Sequence, residues 1–189
     1  MNLLEMKKKV LRLIEEVSDK EANLTDDPDI KKKINDVTNQ VMFEVARMKK
    51  IPAKEKVSIT ADKLDTDIKE LVTNLYQLEN IRFKNEAGEE KEIDIFGTTV
   101  EFPEVGTATV YYFKYPERIT DNTADDTYVF ELSDDALEVM PYGIAADLLK
   151  SDISNNYGQI YSQRYETMLQ RLDPRYSMGS VYIEGGIEI

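Results

Sequence analysis

The sequence predicts an α+β fold: a helical bundle of about four helices, a small antiparallel β-sheet inserted between the second and third helices, and an extended C-terminal tail. Near both ends of the chain, apolar residues recur every three or four positions, as in helices that bury one face. Between these stretches, several segments alternate apolar and polar residues, as strands do. Because helices and strands occupy separate stretches, an α+β arrangement is favoured over a parallel α/β sheet.

The length of 189 residues fits one domain with its own core. Hydrophobic residues make up 41% and charged residues 32%, which is ordinary for a folded protein. We expect a single domain over residues 1–189. Its parts are a helical pair (1–52), a β-rich insertion (53–132), C-terminal helices (133–172) and an extended C-terminal tail (173–189).

Two amphipathic helices are predicted in the first part. The apolar face of the first helix contains Leu3, Leu4, Val10, Leu11, Leu13, Ile14 and Val17. The second helix has Asp27 as N-cap and Pro28 in its first position, and Pro52 stops it. We expect these helices to form an antiparallel pair. Acidic residues lie close to Lys7–Lys9 and Lys31–Lys33, so we interpret both lysine runs as solvated helix faces rather than phosphate-binding patches.

The β-rich insertion contains several strand candidates, which predict a small antiparallel sheet of about three to five strands. The candidates are residues 56–60, 75–85, 90–97, 98–102 and 106–116. Gly88 lies at the tip of a predicted turn. The stretch DTDIKELVTN is ambiguous and fits one or two helical turns.

The chain then returns to helix. Ser133 or Asp134 caps the third helix, and Pro141 predicts a kink or a break because it lacks the N–H that would bond the carbonyl of Leu137. Small residues in this region and a tyrosine stripe on the final helix, predicted over about residues 154–172, indicate packing between helices or between subunits rather than a cofactor site. The packing residues are Gly143, Ala145, Ala146, Tyr157, Tyr161 and Tyr165.

The last segment, DPRYSMGSVYIEGGIEI from Asp173 to Ile189, alternates like a strand after a proline ends the final helix. A strand needs a neighbour for its backbone N–H and C=O groups. Two neighbours stay open: the sheet of the same chain, or another chain that the tail joins by strand addition. The residues expected to dock are Tyr176, Met178, Val181, Tyr182, Ile183, Ile187 and Ile189.

Composition excludes several kinds of chemistry. The chain has no Cys, His or Trp, so disulfides, thiolate metal sites and histidine acid–base catalysis are impossible. No glycine-rich phosphate loop or nucleophile elbow is present. Asp121, Asn122, Asp125 and Asp126 lack the spacing of a calcium loop. We therefore predict a protein that is not an enzyme and has no catalytic residues, metal or cofactor.

The net charge of −13 is concentrated in the middle of the chain. Residues 57–152 hold 8 Lys and Arg against 22 Asp and Glu, whereas residues 1–56 hold 13 against 11 and residues 153–189 hold 3 against 4. Surplus carboxylates commonly serve solubility, and they also repel the phosphates of nucleic acid. No apolar run approaches the roughly 20 residues of a membrane span, and the first segment mixes charges unlike a secretory signal. We expect an intracellular protein, or one made in a cytoplasm and used elsewhere, without contact to membranes.

The order of several stretches resembles the head-to-tail adaptor proteins of tailed bacteriophages, also called connector or head-completion proteins. The helix DDPDIKKKINDVTNQVMFEVARM, the aromatic strand TATVYYFKYPERIT and the terminal helix NNYGQIYSQRYETMLQRLD look like passages of that family. The passage YVFELSDDALEVMPYGIAADLLKSD, in which a strand, a capped helix and a small-residue helix follow one another, also resembles that family, and its part from Phe130 to Asp152 is the most specific. Together these stretches cover most of the chain.

This resemblance implies a structural virion protein at the head–tail neck, made in the cytoplasm of the bacterial host. Such adaptors form homo-oligomeric rings, commonly of twelve subunits, between the portal at the DNA exit of the capsid and a tail or head-closure protein. The resemblance implies that helices form the ring wall, that the sheet contacts tail components and that the C-terminal tail reaches the portal. DNA passes through such a ring without specific binding.

Two other hypotheses follow from charge alone. An acidic cytoplasmic interaction module, of the inhibitor or immunity type, would mask a basic partner, since charge complementarity speeds association. An enzyme that uses carboxylates around a hard metal ion is supported only by the number of acidic residues, 37 in all.

Overall fold

The computed structural model describes residues 1–16, 24–151 and 156–172. These residues form an α+β protein with five α-helices and two small antiparallel sheets, which confirms the predicted class. The chain divides into two compact units. Within the described ranges, the helical unit contains residues 1–51 and 114–172, and the β unit contains residues 52–113.

The elements are numbered in chain order. The helices are α1 (Leu3–Leu13), α2 (Pro28–Met48), α3 (Ile68–Leu71), α4 (Asp134–Leu148) and α5 (Tyr157–Arg171). The strands are β1 (Ile51–Ile59), β2 (Asp65–Asp67), β3 (Leu75–Asn85), β4 (Glu90–Lys91), β5 (Asp94–Phe96), β6 (Thr99–Glu101) and β7 (Gly106–Lys114). Short 3₁₀ turns lie at Ala61–Lys63 and Leu149–Ser151.

The first two helices begin where side chains accept hydrogen bonds from the free N–H groups of the first turn. Asp27 accepts two such bonds, at 2.7 and 3.2 Å, and Pro28 is the first residue of α2, as the sequence predicts. The side chain of Asn2 accepts from the N–H of Glu5 at 2.8 Å, and the Glu5 carboxylate accepts from the N–H of Asn2 at 3.1 Å. This reciprocal capping box fixes the start of α1.

The core of the helical unit is formed by the apolar faces of α1, α2 and α4. Its most deeply buried large side chains are Leu3, Met6, Val10, Met42, Val45, Met140 and Ile144, all 0% exposed. Burying a side chain of this size contributes about 1.5–3 kcal/mol. These contacts hold the helices together in a chain that has no cysteine for a disulfide.

The sequence predicts a kink or a break at Pro141. A break is wrong, because α4 continues without interruption from Asp134 to Leu148. Pro141 is itself buried and lies between Met140 and Gly143, which are also buried. A proline inside a helix costs one hydrogen bond, about 3 kcal/mol or more. Burial of the apolar residues on both sides of the proline offsets that cost, so tertiary packing overrides the local signal.

Residues 114–132 belong to the helical unit rather than to the β-rich insertion predicted over 53–132. After Lys114, the final residue of β7, this segment forms no strand, only an isolated antiparallel bridge between Val129 and Asn2. The backbone N–H groups of Leu3 and Leu4 donate to residues of the same segment, at 3.0 and 2.8 Å. The segment is therefore fixed to the beginning of α1.

The β unit contains two sheets, so the prediction of one sheet was wrong. The strand orders are β1-β7-β3-β4 and β2-β6-β5. The predicted strand over 90–97 divides at Ile93, which is half-buried against the core of the β unit, so β4 pairs with β3 and β5 pairs with β6. The ambiguous stretch DTDIKELVTN forms β2 and the single helical turn α3, whose N-cap is Asp67.

The predicted C-terminal tail, residues 173–189, lies outside the described residues. Among the helices that the structure does describe, none combines the length and the apolar character needed to cross a membrane.

Candidate functional site

Three of the residues predicted to pack helices, Gly143, Tyr161 and Tyr165, come together where α4 and α5 pack. We call Tyr142, Tyr157, Tyr161 and Tyr165, together with Gly143, the tyrosine cluster. Gly143 faces the ring of Tyr165 so closely that an added Cβ would lie 2.8 Å from it. That position therefore has no space for a side chain, and the absence of one brings α4 and α5 together.

Tyr165 is the most deeply buried member of the tyrosine cluster, with 8% of its surface exposed. Its hydroxyl donates to a carboxylate oxygen of Glu44 on α2, at 2.9 Å. Burial and the Glu44 carboxylate raise the pKa of Tyr165 far above its usual value, because both disfavour the phenolate. Tyr165 therefore stays neutral and connects α5 to both α2 and α4.

Tyr161 links α5 to the end of α1. Its hydroxyl donates to the backbone carbonyl of Leu13 at 2.7 Å, which satisfies one of the free carbonyls at the C-terminus of that helix. Its ring lies 6.2 Å from the ring of Tyr142 and 6.3 Å from that of Tyr157. Burial raises the pKa of Tyr161 as well.

A small cavity lies beside Tyr161, with a volume of about 80 Å³. It is lined by Leu13, Ile14, Glu15, Leu149, Tyr157 and Tyr161. This volume suits a few waters or one side chain and is far below the 300 Å³ or more typical of ligand pockets. The cavity is therefore a packing feature of the cluster.

The outer end of the tyrosine cluster is open to solvent. Tyr157 is 58% exposed, and Ile160, one helical turn further along α5, is 53% exposed. The guanidinium of Arg164 lies over the ring of Tyr142, 4.3 Å from its centre, and this cation–π contact orders the same face of the cluster. A large aromatic and a large aliphatic side chain thus stand next to each other at the surface of α5.

The two alanines predicted with this group differ in environment. Ala145 is 0% exposed and belongs to the core of the helical unit, whereas Ala146 is half-buried. The predicted docking residues of the tail, from Tyr176 to Ile189, lie outside the described residues. Gly143, Tyr161 and Tyr165 are brought together within one chain, and Tyr157 extends the cluster to the surface.

Sequence reasoning missed three ion pairs of the helical unit, one of which fixes segment 114–132 to α1. Lys7 forms an ion pair with Asp125 at 2.8 Å, Lys49 pairs with Asp135 at 3.0 Å, and Lys114 pairs with Glu131. The side chains of Lys7 and Lys49 are only 8% and 9% exposed. A lysine four residues from an acidic residue can be read from the sequence, but pairs 118 and 86 residues apart cannot.

The ion pair between Lys7 and Asp125 also concerns the loop that was compared with a calcium site, residues 121–126. Asp125, one of the four residues of that loop, is used by Lys7, which donates to both oxygens of its carboxylate. In the described ranges, no group of three or more acidic side chains is arranged to hold a metal ion.

The tyrosine cluster is suited to packing and hydrogen bonding. The hydroxyls of Tyr161 and Tyr165 donate to Leu13 and Glu44, and the pKa values of both tyrosines are raised, so both stay neutral hydrogen-bond donors. The exposed pair, Tyr157 and Ile160, presents apolar surface on a rigid helix.

No protein-family model and no curated protein matches this chain.

Proposed function

We propose that this chain is a structural virion protein that forms the adaptor ring between the portal and the tail of a tailed bacteriophage. In this proposal, α1, α2, α4 and α5 form a bundle that makes the ring wall, and the strands inserted between α2 and α4 face the tail. The C-terminal tail, residues 173–189, reaches the portal. The protein acts through its contacts and carries out no reaction.

The observation that carries the proposal is the exposed pair of Tyr157 and Ile160 on α5. Both lie on a helix that is fixed to the rest of its unit by Gly143 and by the hydroxyls of Tyr161 and Tyr165. A fixed helix with adjacent exposed apolar side chains is suited to a side-to-side contact between subunits. Heterologous contacts of this kind generate a ring when the rotation between neighbouring subunits closes.

The order of elements also supports the proposal. The passage from Phe130 to Asp152 carried the most specific resemblance to the adaptor family, and it contains α4, with Ser133 at its N-cap and acidic residues in the first turn. The helical pair at the start of the chain and the terminal α5 follow the same order as the resembling stretches.

The charge of the chain agrees with a channel through which DNA slides. A net charge of −13 repels phosphate, and a ring of such subunits would multiply this repulsion. A protein that grips DNA would carry the opposite sign. The proposal therefore predicts that the assembled ring does not retain duplex DNA at physiological salt.

The ring contact can be tested by replacing the exposed pair of α5. We expect Tyr157→Ser with Ile160→Ser to leave the chain folded and to abolish its assembly on the portal protein from the same genome, as measured by sedimentation. The matched control is Val129→Ser, which removes an apolar side chain that is 62% exposed elsewhere on the helical unit.

Assembly that is lost in both variants, or kept in both, would contradict a role for this helix face. Since many proteins of this kind are monomers until they meet the portal, the portal must be present in the assay. The folded state of each variant is checked by circular dichroism before assembly is measured.

A further inference from the structure

The three-stranded sheet of the β unit has one face made almost entirely of polar and charged side chains. Register places Asp65, Glu101 and Asp94 in one row across β2, β6 and β5, and Asp67, Thr99 and Phe96 in the next row. Residues in register share a face, and so do residues two apart on one strand. We call this the carboxylate face, formed by Asp65, Asp67, Asp94, Phe96, Thr99 and Glu101.

The opposite face of the same sheet points to the core. Its row consists of Thr66, Val100 and Ile95, of which Val100 is 0% and Thr66 is 7% exposed. Because one face is buried, the register cannot slip without moving Val100 into solvent. The carboxylate face is therefore a fixed outer surface.

Like charges directly opposite each other on neighbouring strands are destabilising. Asp65, Glu101 and Asp94 are all exposed and stand side by side, with Cβ atoms of neighbours roughly 5 Å apart in such pairs. Within the described residues, none of the three forms an ion pair. Within the described residues, these three carboxylates therefore add no ion-pair stabilisation to the fold.

The outer strand of the sheet, β5, adds apolar surface to these charges. Phe96 is 88% exposed and Ile95 is 45% exposed. Ile95 and Phe96 lie on opposite faces of the sheet, so they place apolar surface on both sides of an edge strand whose open backbone groups permit strand addition. In the described part of the chain, β5 has a strand neighbour only on the β6 side.

The hairpin that presents Phe96 is held in place. Gly97 and Thr98 form a two-residue loop in which Gly97 has a φ of 64°, the left-handed conformation that glycine adopts without strain. The hydroxyl of Thr98 donates to Asp67 at 2.9 Å, and the carbonyl of Thr98 accepts from the N–H of Ile68 at 2.8 Å. Hydrogen bonds to the Asp67 carboxylate, first from the N–H of Lys69 at 2.8 Å and then from the Thr98 hydroxyl, hold the pKa of Asp67 below its usual value.

We propose that the carboxylate face and the open edge of β5 bind an extended, lysine- or arginine-rich segment of a partner protein. The segment adds as a further strand beside β5. Its basic side chains lie next to Asp94 and Phe96 on the outer face, and an apolar side chain between them packs beside Ile95. Arginine next to Phe96 gains a cation–π contact in addition to its charge.

Charge selects this occupant over two others. A second copy of the chain carries the same net charge of −13, so two carboxylate faces brought together edge to edge would repel each other. Nucleic acid is repelled by the same carboxylates. A segment that alternates basic and apolar residues places its basic side chains beside Asp94 and Phe96 and an apolar side chain beside Ile95, and its backbone pairs with β5.

In the proposed adaptor, the strands face the tail, so the basic segment would belong to a tail-side partner. Binding of that segment involves only residues of the β unit. The ring proposal is tested on α5, so either can fail while the other holds.

The experiment uses the full chain and a fluorescein-labelled peptide with the sequence Lys-Val-Arg-Val-Lys-Val-Arg, measured by fluorescence anisotropy. We expect binding at low salt that weakens as salt is added, with amide shifts at Ile95 and Phe96 in NMR spectra. The double variant Asp94→Asn with Glu101→Gln, and separately Phe96→Ser, are each expected to weaken binding by about tenfold or more. A peptide with proline in place of its central valine is expected to bind poorly because it loses a backbone donor.

The matched control is Glu79→Gln, which removes one exposed carboxylate from β3 in the other sheet and is expected to change binding by less than about twofold. Equal weakening by Glu79→Gln would mean general charge attraction and would overturn the proposal, as would no binding at millimolar peptide. Displacement of the peptide by calcium or magnesium with the same amide shifts would assign the face to a cation instead. Self-association of the unmodified chain that Phe96→Ser abolishes would assign it to a second copy.

Discussion

The side chain of Asn39 on α2 pairs with both backbone groups of Ile119. Its amide donates to the carbonyl of Ile119 at 2.8 Å, and its carbonyl oxygen accepts from the N–H of Ile119, also at 2.8 Å. Both residues are buried, at 6% and 3% exposed. Asn39 thus supplies the hydrogen bonds that a neighbouring strand would give to segment 114–132, whose buried backbone groups at Ile119 would otherwise be unpaired.

Removing the two hydrogen bonds between Asn39 and Ile119 tests how much they contribute to the stability of the helical unit. Asn39→Ala leaves a buried N–H and a buried carbonyl without partners, so we expect a loss of about 2–4 kcal/mol in the free energy of unfolding of the helical unit. Urea unfolding followed by circular dichroism measures the change. The neighbouring Gln40→Ala is the control, because Gln40 is exposed, and a similar loss in both variants would contradict the role of Asn39.

The contact between Gly143 and Tyr165 predicts that a Gly→Ala substitution has the opposite effect on stability from its usual one. In an ordinary helix, Gly→Ala stabilises by about 1 kcal/mol. Gly143→Ala is expected to destabilise instead, since the new Cβ would lie 2.8 Å from the Tyr165 ring. In a chain that already carries Tyr165→Ala, the same Gly143→Ala change is expected to stabilise, and thermal unfolding of the four variants gives the comparison. Additive effects would contradict direct contact.

The ion pair between Lys7 and Asp125 predicts that replacing Asp125 by asparagine destabilises the fold more than the same replacement at Asp121. Asp125→Asn leaves the amine of Lys7, 8% exposed, without its partner, and we expect a loss of about 2 kcal/mol. Asp121→Asn, an exposed aspartate of the same segment, is expected to change stability by less than about 0.5 kcal/mol. Equal effects in urea unfolding would show that Lys7 does not need Asp125.

The hydroxyl of Tyr128 donates to the carbonyl of Glu117 at 2.6 Å. Burial first, and then the carboxylates of Glu117 and Glu131, raise the pKa of Tyr128 to about 12. An unfolded tyrosine ionises near pH 10. The stabilisation that Tyr128 gives is therefore complete below about pH 10 and is lost as the pH rises towards 12.

Replacement by phenylalanine isolates this effect. We expect the difference in urea midpoint between the unmodified chain and Tyr128→Phe to be constant from pH 7 to 9 and to shrink between pH 10 and 12. The other tyrosines titrate in both proteins and cancel in the difference. A difference that stays constant up to pH 12 would mean that Tyr128 ionises as it does in the unfolded chain.

The sequence predicted those features that depend on neighbouring residues. The start of α2 follows from Asp27 and Pro28, and the apolar face of α1 follows from its periodicity. The division of the strands into two sheets could not be predicted, because it depends on tertiary packing. Ile93 packs against the core of the β unit, and this separates β4, which pairs with β3, from β5, which pairs with β6. The anchoring of segment 114–132 by Asn39 was also beyond local reasoning, because 80 residues separate Asn39 from Ile119.

The same distinction applies to the candidate site. The spacing of Tyr157, Tyr161 and Tyr165 predicted a packing stripe, and the structure places Tyr161 and Tyr165 against α1 and α2 of the same chain. The exposure of Tyr157 and Ile160 had no sequence signal, because it depends on what the other helices leave uncovered. Likewise, the carboxylate row of the β unit depends on strand register, which the sequence of Asp65, Asp94 and Glu101 does not reveal.

The tail can be tested by a chain that ends at Arg175. We expect this shortened protein to keep the circular dichroism and the urea midpoint of the full chain, and to fail to assemble on the portal. Unfolding of the shortened chain would instead indicate that residues 176–189 pair with their own sheet. The comparison uses the two proteins at equal concentration, with and without portal.

The most direct measurement for the adaptor proposal is the mass and symmetry of the full chain mixed with the portal protein from the same genome. Light scattering gives the mass, and electron microscopy gives the symmetry of the same sample. We predict a ring with cyclic symmetry stacked on the portal, which is lost with Tyr157→Ser and Ile160→Ser. A chain that stays strictly monomeric in the presence of the portal would contradict the proposal.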